Sequence, residues 1–381
     1  MDKPTVQDIF HRFYPAYLDQ YSPSPVQAKV AHNIMNCKTG AYGANVCVCE
    51  DCGFVQIHYN SCRNRCCPMC QAVPKEMWMD ARREDVLDAP YFHLVFTVPD
   101  ILNPVIYSNQ RLLYDALYHA ASSTISELTA DPKHLGAKVG YICILHTWGS
   151  EMNFHPHIHT ILLGGGLASN NQWKDNGENF FLPIRVISKM FRGKYLEELK
   201  RLWEEDKLVF HGTAEKFRNH YTFKELLDSC YGMDWIPHCK KTFNGAQTVI
   251  KYLGKYTHRI AVSNHRIVRM DDDTVTFLVK DYRNEGQWKE LTISGVEFVR
   301  RFLMHVPPRR FVRIRHYGLL CSRTKSQKLT LCRNLLGCKK YLSKLRDMEM
   351  PEILEHLYGI KVCVCKACGG HLGKPQMRMP L

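Results

Sequence analysis

The stretch that decides the fold is Asn153-Phe154-His155-Pro156-His157-Ile158-His159-Thr160-Ile161-Leu162-Leu163, which is followed by Gly164-Gly165-Gly166. It predicts a β-strand that begins near Pro156, because proline cannot donate to a sheet ladder. Side chains alternate between the two faces of a strand, so His157 and His159 share one face with Ile161 and Leu163 beyond them. Two imidazoles over one patch at the start of an apolar strand indicate a metal site.

A second stretch, residues 244–259, predicts a helix that opens with a capping-box pattern and carries two tyrosines. Tyr252 and Tyr256 are four residues apart and therefore lie one turn above the other, with the cations Lys255 and Arg259 on the same side. Paired tyrosines on a helix are usually half-buried packing residues. Together with the histidine pair, they indicate an active site instead.

Cysteine spacing predicts structural zinc near the amino terminus. Two Cys-x-x-Cys knuckles, Cys49/Cys52 and Cys67/Cys70, each present two thiolates from a tight turn and would together close one tetrahedral site. Four neighbouring side chains could hold a second ion or replace one of these ligands: Cys47, His58, Cys62 and Cys66.

The end of the chain repeats this motif, since Cys363-Val364-Cys365-Lys366-Ala367-Cys368-Gly369 echoes Cys47-Val48-Cys49-Glu50-Asp51-Cys52-Gly53. With His371, the residues Cys363, Cys365 and Cys368 could hold another zinc ion. No second knuckle lies nearby in the sequence to complete such a site.

Composition indicates a polyanionic partner. The 381 residues carry a formal charge of +14 and give an isoelectric point near 9.0, which suits the release of counterions from nucleic acid; an acidic membrane surface is the rival. No apolar run approaches the roughly 18 residues of a membrane span, and no signal peptide is visible. We therefore expect no membrane partner and an intracellular location, where 17 cysteines are better explained by metal binding than by disulfides.

Several basic side chains are candidates for phosphate contacts, although solvated surface charges would have the same pattern. They are found in the knuckle region, before the tyrosine helix and along an arginine-rich stretch near residue 310: Arg63, Arg65, Lys241, Arg309, Arg313 and Arg315.

The order of elements predicts an α+β fold. Strands over residues 91–98 and 139–147 precede the histidine strand, and neighbouring antiparallel strands are the natural arrangement. The triple glycine lacks the spacing of a dinucleotide fingerprint and predicts a turn. Residues 266–270 and 274–279 predict a hairpin around Asp271-Asp272-Asp273, an acidic cluster that we interpret as a turn and not as a metal site.

At these residues the chain resembles the two-tyrosine, HUH-class transposases of rolling-circle insertion sequences. The resemblance covers most of the chain from about residue 45 to about residue 340 and extends over the cysteine cluster, residues 92–99, 145–149, the His157/His159 pair, residues 252–259, 302–307 and 313–318. One departure is Cys66, where the family usually carries histidine, and a thiolate can replace imidazole as a zinc ligand.

The resemblance implies an HUH-type antiparallel sheet with helices, preceded by a small zinc-binding domain. We expect a helical and zinc-binding domain over residues 1–88, a catalytic domain over 89–330 with an insertion at about 167–243, and a tail over 331–381. His157 and His159 would hold Mg²⁺ or Mn²⁺, with structural Zn²⁺ elsewhere.

The third ligand of that metal is open from the residues alone, because Glu151, His146, His155 and Gln247 could each supply it. Related replication initiators use a carboxylate just upstream of the histidine pair, which favours Glu151.

The resemblance also implies the chemistry. Tyr252 or Tyr256 would attack a DNA phosphate to form a 5′-phosphotyrosine, helped by the metal and by Lys255 or Arg259. The partners would be single-stranded DNA and a transposon-end hairpin or duplex. Because the sequence has no P-loop motif, host replication and helicase machinery would supply unwinding in a bacterial-type cytoplasm, at the nucleoid. The alternatives are a plasmid replication initiator or relaxase of the same chemistry, and a non-catalytic zinc-dependent DNA-binding regulator.

Overall fold

The computed structural model describes residues 3–177, 182–235, 237–243, 248–250, 254, 260–281 and 286–378, and for residues 240–243 the description covers the backbone alone. The helices are α1 (Val6–Leu18), α2 (Pro25–Met35), α3 (Ala72–Arg83), α4 (Asn103–Ser108), α5 (Gln110–Ala130), α6 (Ile184–Glu204), α7 (His220–Gly232), α8 (Gly295–Met304), α9 (Lys325–Leu336) and α10 (Met350–Tyr358). The strands are β1 (Ala44–Val48), β2 (Val55–Tyr59), β3 (Tyr91–Thr97), β4 (Lys138–Trp148), β5 (Phe154–Leu167), β6 (Trp173–Asp175), β7 (His238–Phe243), β8 (Ile267–Met270), β9 (Thr274–Asp281), β10 (Gln287–Ser294), β11 (Ile314–Gly318) and β12 (Gln376–Arg378).

The histidine stretch forms β5 in the middle of the largest sheet. The order of this sheet is β11-β4-β5-β3-β7, with β6 paired to the far end of β5, and the pairs are antiparallel. The register places His146 opposite His157 and both Ile144 and Val95 opposite His159. The predicted α+β class and antiparallel arrangement are confirmed.

One face of this sheet is covered by the helices α4 to α7. Their apolar side chains pack on the residues of even position in β5, among them Ile158 and Leu162, and on Phe96, whose ring lies 5.0 Å from that of Phe191 in α6.

The other face carries the histidines at one end and an apolar cluster at the other. This cluster contains Ile161 and Leu163, so the predicted alternation along the strand is confirmed. Val249 and Ile250 belong to the same cluster, together with side chains of α3 and α9. The apolar half of the face is therefore covered, whereas the histidine half opens into a cleft.

The triple glycine is not a turn, contrary to the prediction, because β5 continues through it to Leu167. Neighbouring groups occupy the space that side chains would need: an ideal Cβ on Gly164 would lie 2.9 Å from Pro90 O, and one on Gly165 would lie 2.8 Å from Lys174 O. The glycines allow β3, β4 and β6 to approach the strand closely.

A second, three-stranded sheet of order β10-β9-β8 packs with α1, α2 and α8 around a separate core. The Phe10 ring of α1 meets the Phe302 ring of α8 at 5.2 Å, and Gln27 Nε2 of α2 donates to Leu303 O at 2.9 Å. Residues 271–273 form the turn of the β8–β9 hairpin, as predicted. Helices from the predicted amino-terminal domain thus pack on elements of the predicted catalytic domain.

The third sheet joins the two ends of the chain. Its order is β12-β1-β2, with Ala44 opposite Arg378 and Val46 opposite both Gln376 and Ile57. In the described part of the chain, no helix is long and apolar enough to cross a membrane.

Candidate active site

Three histidines converge at the open end of the central sheet. The imidazole nitrogens of His146, His157 and His159 lie within 4.8 Å of one another, and Nε2 of His157 is 3.0 Å from Nε2 of His159. His146 comes from β4 and the other two from β5. The antiparallel register brings the three together because His146 is paired with His157.

Hydrogen bonding and burial prepare these rings to bind a metal. Nδ1 of His157 donates to His155 O at 2.6 Å, so its Nε2 carries a lone pair. Burial lowers the pKa of His157 to about 4, and burial together with the neighbouring imidazoles lowers the pKa of His159 well below its usual range. Both rings are therefore neutral at pH 7, the form that binds divalent ions. A second contact, 2.9 Å between His93 Nε2 and His159 Nδ1, orients the His159 ring from outside.

Of the candidates for the third ligand, the structure groups His146 with His157 and His159 and leaves Glu151 outside this group. Glu151 lies in the β4–β5 loop, which Gly149 N closes by donating to Asn153 O at 3.1 Å. Its side chain is half exposed, and its carboxylate is directed to Lys289 Nζ, 3.8 Å away. Glu151 is therefore not grouped with the strand histidines.

Of the two other candidates, only His155 is among the described residues. His155 lines the cleft, but its Nδ1 lies 3.1 Å from Asp100 Oδ1 and it is not among the three grouped nitrogens. Gln247 lies outside the described residues.

The cleft above the histidines has a volume of about 530 Å³, and its lining includes two cations and two indoles. Lys280 is exposed, whereas Arg266 is only 4% exposed and donates to Ser150 O at 2.6 Å. The Nζ atom of Lys280 lies 5.3 Å from the Trp288 ring centroid, and the Arg266 guanidinium lies 5.8 Å from it. Trp288 remains 53% exposed despite its size. These residues were not singled out from the sequence, where β8 to β10 resemble an ordinary antiparallel sheet.

The tyrosine segment is described only in part. Tyr252, Lys255, Tyr256 and Arg259 lie outside the described residues, whereas Val249, Ile250 and Gly254 lie within them and are buried. Val249 and Ile250 pack on the sheet face that also carries the histidines. The sulfur of Met79 in α3 occupies the space that a Cβ on Gly254 would need.

The cysteines form two groups of four, and the knuckles are paired differently from the prediction. Cys67 and Cys70 meet Cys37 and Cys62, with Sγ atoms of Cys62 and Cys70 3.8 Å apart. Cys49 and Cys52 meet Cys365 and Cys368 instead. A tetrahedral zinc site with Zn–S distances of about 2.3 Å has sulfurs roughly 3.8 Å apart, so both groups fit zinc. Cys37 was missed because it stands alone in the sequence, 25 residues before Cys62.

Five further zinc candidates lie outside both groups. Cys66 is buried, and burial raises the pKa of its thiol. His58 Nε2 is 2.8 Å from Gln56 Nε2, and His371 Nδ1 is 3.3 Å from a carboxylate oxygen of Glu50. Cys47 and Cys363 are likewise absent from the two groups.

Three of the arginines predicted to contact DNA are engaged within the protein. Arg313 is only 8% exposed and its guanidinium lies 5.3 Å from the Trp148 ring centroid. Arg315 pairs with Asp115 of α5. Arg65 donates to Phe311 O at 2.6 Å. Arg315 of β11 and Arg313, which immediately precedes this strand, are therefore held within the protein and do not form an exposed basic ribbon.

The three other basic residues predicted to contact DNA are Arg63, Arg309 and Lys241. Arg63 and Arg309 are exposed. Lys241 lies on the edge strand β7 opposite Phe92, and its side chain is outside the description.

Comparison with protein families defines the class of this molecule. Residues 140–328 match a family model described as "Putative transposase", and residues 9–98 match a "Transposase zinc-binding domain". The first range contains the three histidines and the tyrosine segment, and the second contains the Cys37 group.

Individual relatives agree with this class. The chain is 40% identical over 369 residues to "Putative transposase y4qJ" of Sinorhizobium fredii, covering 96% of this chain and 93% of that protein. It is 30% identical over 309 residues to the transposase for insertion sequence element IS801 of Pseudomonas savastanoi pv. phaseolicola, covering 80% of this chain and 72% of that protein. The chain belongs to this family of insertion-sequence transposases, as the resemblance in the sequence predicted.

Among solved structures, a metal-bound complex of the conjugative relaxase TrwC with oriT DNA is similar over 44% of this chain and 70% of that chain, with 14% identity and a TM-score of 0.24. A score this low does not define a common fold.

Proposed function

We propose that this chain cleaves and rejoins single-stranded DNA at the ends of a rolling-circle insertion element, with a tyrosine as the nucleophile. The observation that carries the proposal is the convergence of three imidazoles at the floor of an open cleft in a member of a transposase family. The exposed cation Lys280 at the rim would attract backbone phosphates. The exposed indole of Trp288 offers a surface on which a base can stack.

His146, His157 and His159 are the residues that would hold a divalent ion, Mn²⁺ or Mg²⁺. When bound, such an ion supplies Lewis-acid stabilisation of the charge that develops on the scissile phosphate. Imidazole ligands suit manganese better than magnesium, which is why we expect Mn²⁺ to support the higher rate.

In the proposed reaction, the phenol of Tyr252 or Tyr256 attacks phosphorus in line. A bond forms between the tyrosine oxygen and phosphorus while the bond from phosphorus to the 3′ oxygen breaks, and the proton lost by the phenol is balanced by the one gained by the 3′-hydroxyl. Free tyrosine has a pKa of about 10, so the phenolate needs stabilisation by nearby positive charge, for which Lys255 and Arg259 are the candidates. Attack of a 3′-hydroxyl on the phosphotyrosine reverses the step and rejoins DNA.

The described residues that precede Tyr252 support this assignment. Val249 and Ile250, shortly before Tyr252, are buried against the sheet face on which the histidines lie. Two nucleophiles four residues apart would allow one to keep the first 5′ end while the other cleaves a second strand. The free 3′-hydroxyl would be extended by host replication, and a host helicase would unwind the duplex.

The test is a cleavage assay with single-stranded oligonucleotides that span the element's end, labelled at the 3′ side of the cut so that the covalent adduct is seen directly. With Mn²⁺, the wild-type chain should form an adduct, each of Tyr252→Phe and Tyr256→Phe should retain some, and the double variant should form none. The exposed Tyr221 provides a matched control, because Tyr221→Phe should leave the adduct unchanged.

A second part of the experiment distinguishes a loss of DNA cleavage from a loss of DNA binding. His157→Ala/His159→Ala should abolish the adduct while leaving oligonucleotide affinity largely intact, since metal and phosphate contacts use different residues. Adduct formation by either double variant would refute the proposed site. Oligonucleotide binding without any adduct in the wild-type chain would favour a DNA-binding regulator.

A further inference from the structure

We propose that Cys49 and Cys52 bind a structural zinc ion together with Cys365 and Cys368, so that one metal site joins the amino-terminal and carboxy-terminal parts of the chain. This site, which we call the terminal clasp, is separate from the group of Cys37, Cys62, Cys67 and Cys70. Two of its four ligands, Cys365 and Cys368, lie beyond the range that matches the zinc-binding domain, because that range ends at residue 98.

The sulfur geometry is that of a tetrahedral thiolate site. Sγ of Cys49 is 3.5 Å from Sγ of Cys368, and Sγ of Cys52 is 3.7 Å from Sγ of Cys365. These distances are close to the roughly 3.8 Å between sulfurs that share a zinc ion and far above the roughly 2.05 Å of a disulfide.

The backbone makes the two halves near copies of one another. Gly53 N donates to Cys49 O and Gly369 N donates to Cys365 O, each at 3.0 Å, and both glycines have positive φ, +69° and +78°. Amides also point at sulfur in the carboxy-terminal half, where Ala367 N lies 3.4 Å from Cys365 Sγ. Such donors stabilise thiolate, the form that binds zinc.

Backbone hydrogen bonds also join the two halves of the terminal clasp, in addition to the contacts between their sulfur atoms. Cys49 is bridged to Leu372, Glu50 N donates to His371 O at 3.1 Å, and Gly373 N donates to Val48 O at 2.9 Å. The pairing of β1 with β12 extends this contact.

The region has too small a core to fold by burial alone. Its buried cluster consists of Cys47, Cys49, Cys365 and Leu372. On the adjoining strand β2, Val55 and Ile57 remain about half exposed. Modules of this size depend on a metal for their folding free energy, and two of the four proposed ligands, Cys49 and Cys365, lie in this cluster.

The first experiment counts zinc per chain by mass spectrometry in purified full-length protein. Cys49→Ser and Cys365→Ser should each lose one equivalent relative to wild type, and the double variant Cys49→Ser/Cys365→Ser should still lose only one, because both residues serve the same ion. Cys67→Ser combined with Cys49→Ser should lose two. The exposed Cys321, which is outside both groups, provides the control, and Cys321→Ser should lose none.

Each alternative pairing has its own signature. If the two knuckles bound different ions, Cys49→Ser/Cys365→Ser would lose two equivalents. If Cys49 and Cys67 shared an ion, their double variant would lose only one. Either result would overturn the terminal clasp, and neither depends on DNA cleavage, so the proposed function is tested separately.

A second measurement uses the unmodified chain, in case the serine variants do not fold. Cys52 and Cys368 are exposed, so an alkylating reagent should modify them readily unless a metal holds their sulfurs. We expect both to resist alkylation until a chelator is added and then to react together, whereas Cys321 reacts throughout. Rapid alkylation of Cys52 and Cys368 in zinc-replete protein would contradict the proposal.

Discussion

His146, His157 and His159 owe their convergence to strand register and to nothing local in the sequence of β4. A shift of one residue between β4 and β5 would turn His146 to the helix-covered face, because side chains alternate along a strand. His93, from the third strand, then holds the His159 ring through a 2.9 Å contact. The three histidines that would bind the metal and the histidine that orients one of them therefore come from three strands, β3, β4 and β5.

A graded effect on Mn²⁺ affinity is expected at these residues. His146→Ala should weaken Mn²⁺ binding by at least about 100-fold, and His93→Ala should weaken it by roughly 10 to 100-fold, the usual cost of losing a partner behind a ligand. Glu151→Ala should change the affinity by less than about twofold, because its carboxylate is engaged with Lys289. Isothermal titration calorimetry measures all three. A large loss of Mn²⁺ affinity in Glu151→Ala with no loss in His146→Ala would instead favour Glu151 as the third ligand, as the sequence did.

At the scale of the element, β5 is notable for three consecutive glycines inside a central strand. Glycine normally weakens a strand, since it has no side chain to pack and more conformational freedom to lose. Here the neighbours occupy the space: Gly165 lies against the Trp173 ring of β6, and Gly166 lies against Lys138 O of β4.

Alanine substitutions should therefore have opposite effects in the strand and in a helix. Gly165→Ala should lower the free energy of unfolding by about 1 to 3 kcal/mol, because its Cβ would overlap the indole of Trp173. Gly193→Ala, in α6 with nothing within 4 Å of the new atom, should raise it by roughly 0.5 to 1 kcal/mol. Urea denaturation compares the two. Equal effects of both substitutions would contradict the close approach of β6.

The end of α8 is attached to the β4–β5 hairpin by a buried histidine. Nε2 of His305 donates to Met152 O at 3.0 Å, and its Nδ1 accepts from the Thr147 hydroxyl at 3.2 Å. Burial, and to a smaller degree nearby arginines, lowers the pKa of His305 to about 4.

This histidine should make stability depend on pH. The unfolded chain takes up a proton near pH 6.5 and the folded chain only near pH 4, so the free energy of unfolding should fall as pH drops between these values, by at most about 3 kcal/mol from His305. His305→Gln should flatten the slope of unfolding free energy against pH, while His211→Gln, at an exposed position, should not. Denaturation midpoints measured from pH 4 to pH 7 test this, and an unchanged slope in His305→Gln would exclude the mechanism.

At the scale of the whole molecule, the tail after α9 returns along α3 to the amino-terminal sheet. Asp80 of α3 is buried and accepts from the hydroxyls of Tyr341 and Ser343, each at 2.6 Å, and from Leu345 N at 2.9 Å. Hydrogen bonds from the tail lower the pKa of Asp80 even though burial alone would raise it. One carboxylate therefore holds much of this connection in place.

Removal of that carboxylate should loosen the tail. Asp80→Ala should speed tryptic cleavage between Lys339 and Arg346 by about tenfold or more, because bonds to a charged acceptor contribute roughly 1.5 to 3 kcal/mol. Asp88 lies at an exposed position in the loop after α3, so trypsin should cleave the Asp88→Ala variant at the wild-type rate. Mass spectrometry of timed digests identifies the site, and equal rates in both variants would show that Asp80 does not hold the tail.

The sequence predicted those parts of the site that depend on local periodicity. His157 and His159 were found because a strand repeats every two residues, and the β8–β9 hairpin because its strands are joined by three aspartates. The grouping of Cys49 with Cys365 and Cys368 and that of His146 with His157 and His159 depend on long-range pairing, which no local spacing encodes. The predictions for Arg313 and Arg315 were wrong for the same reason, since their contacts with Trp148 and with Asp115 of α5 join residues far apart in the sequence.

The pairing of β1 with β12 also orders events during synthesis. Cys52 and Cys365 are 313 residues apart, so the ribosome must deliver nearly the whole chain before these two can meet. The group of Cys37, Cys62, Cys67 and Cys70, by contrast, is complete once the first 70 residues have emerged. In a nascent transposase, the edge of β1 that pairs with β12 therefore stays unpaired until β12 has been synthesised. A chain truncated before β12 leaves that edge of β1 exposed to solvent.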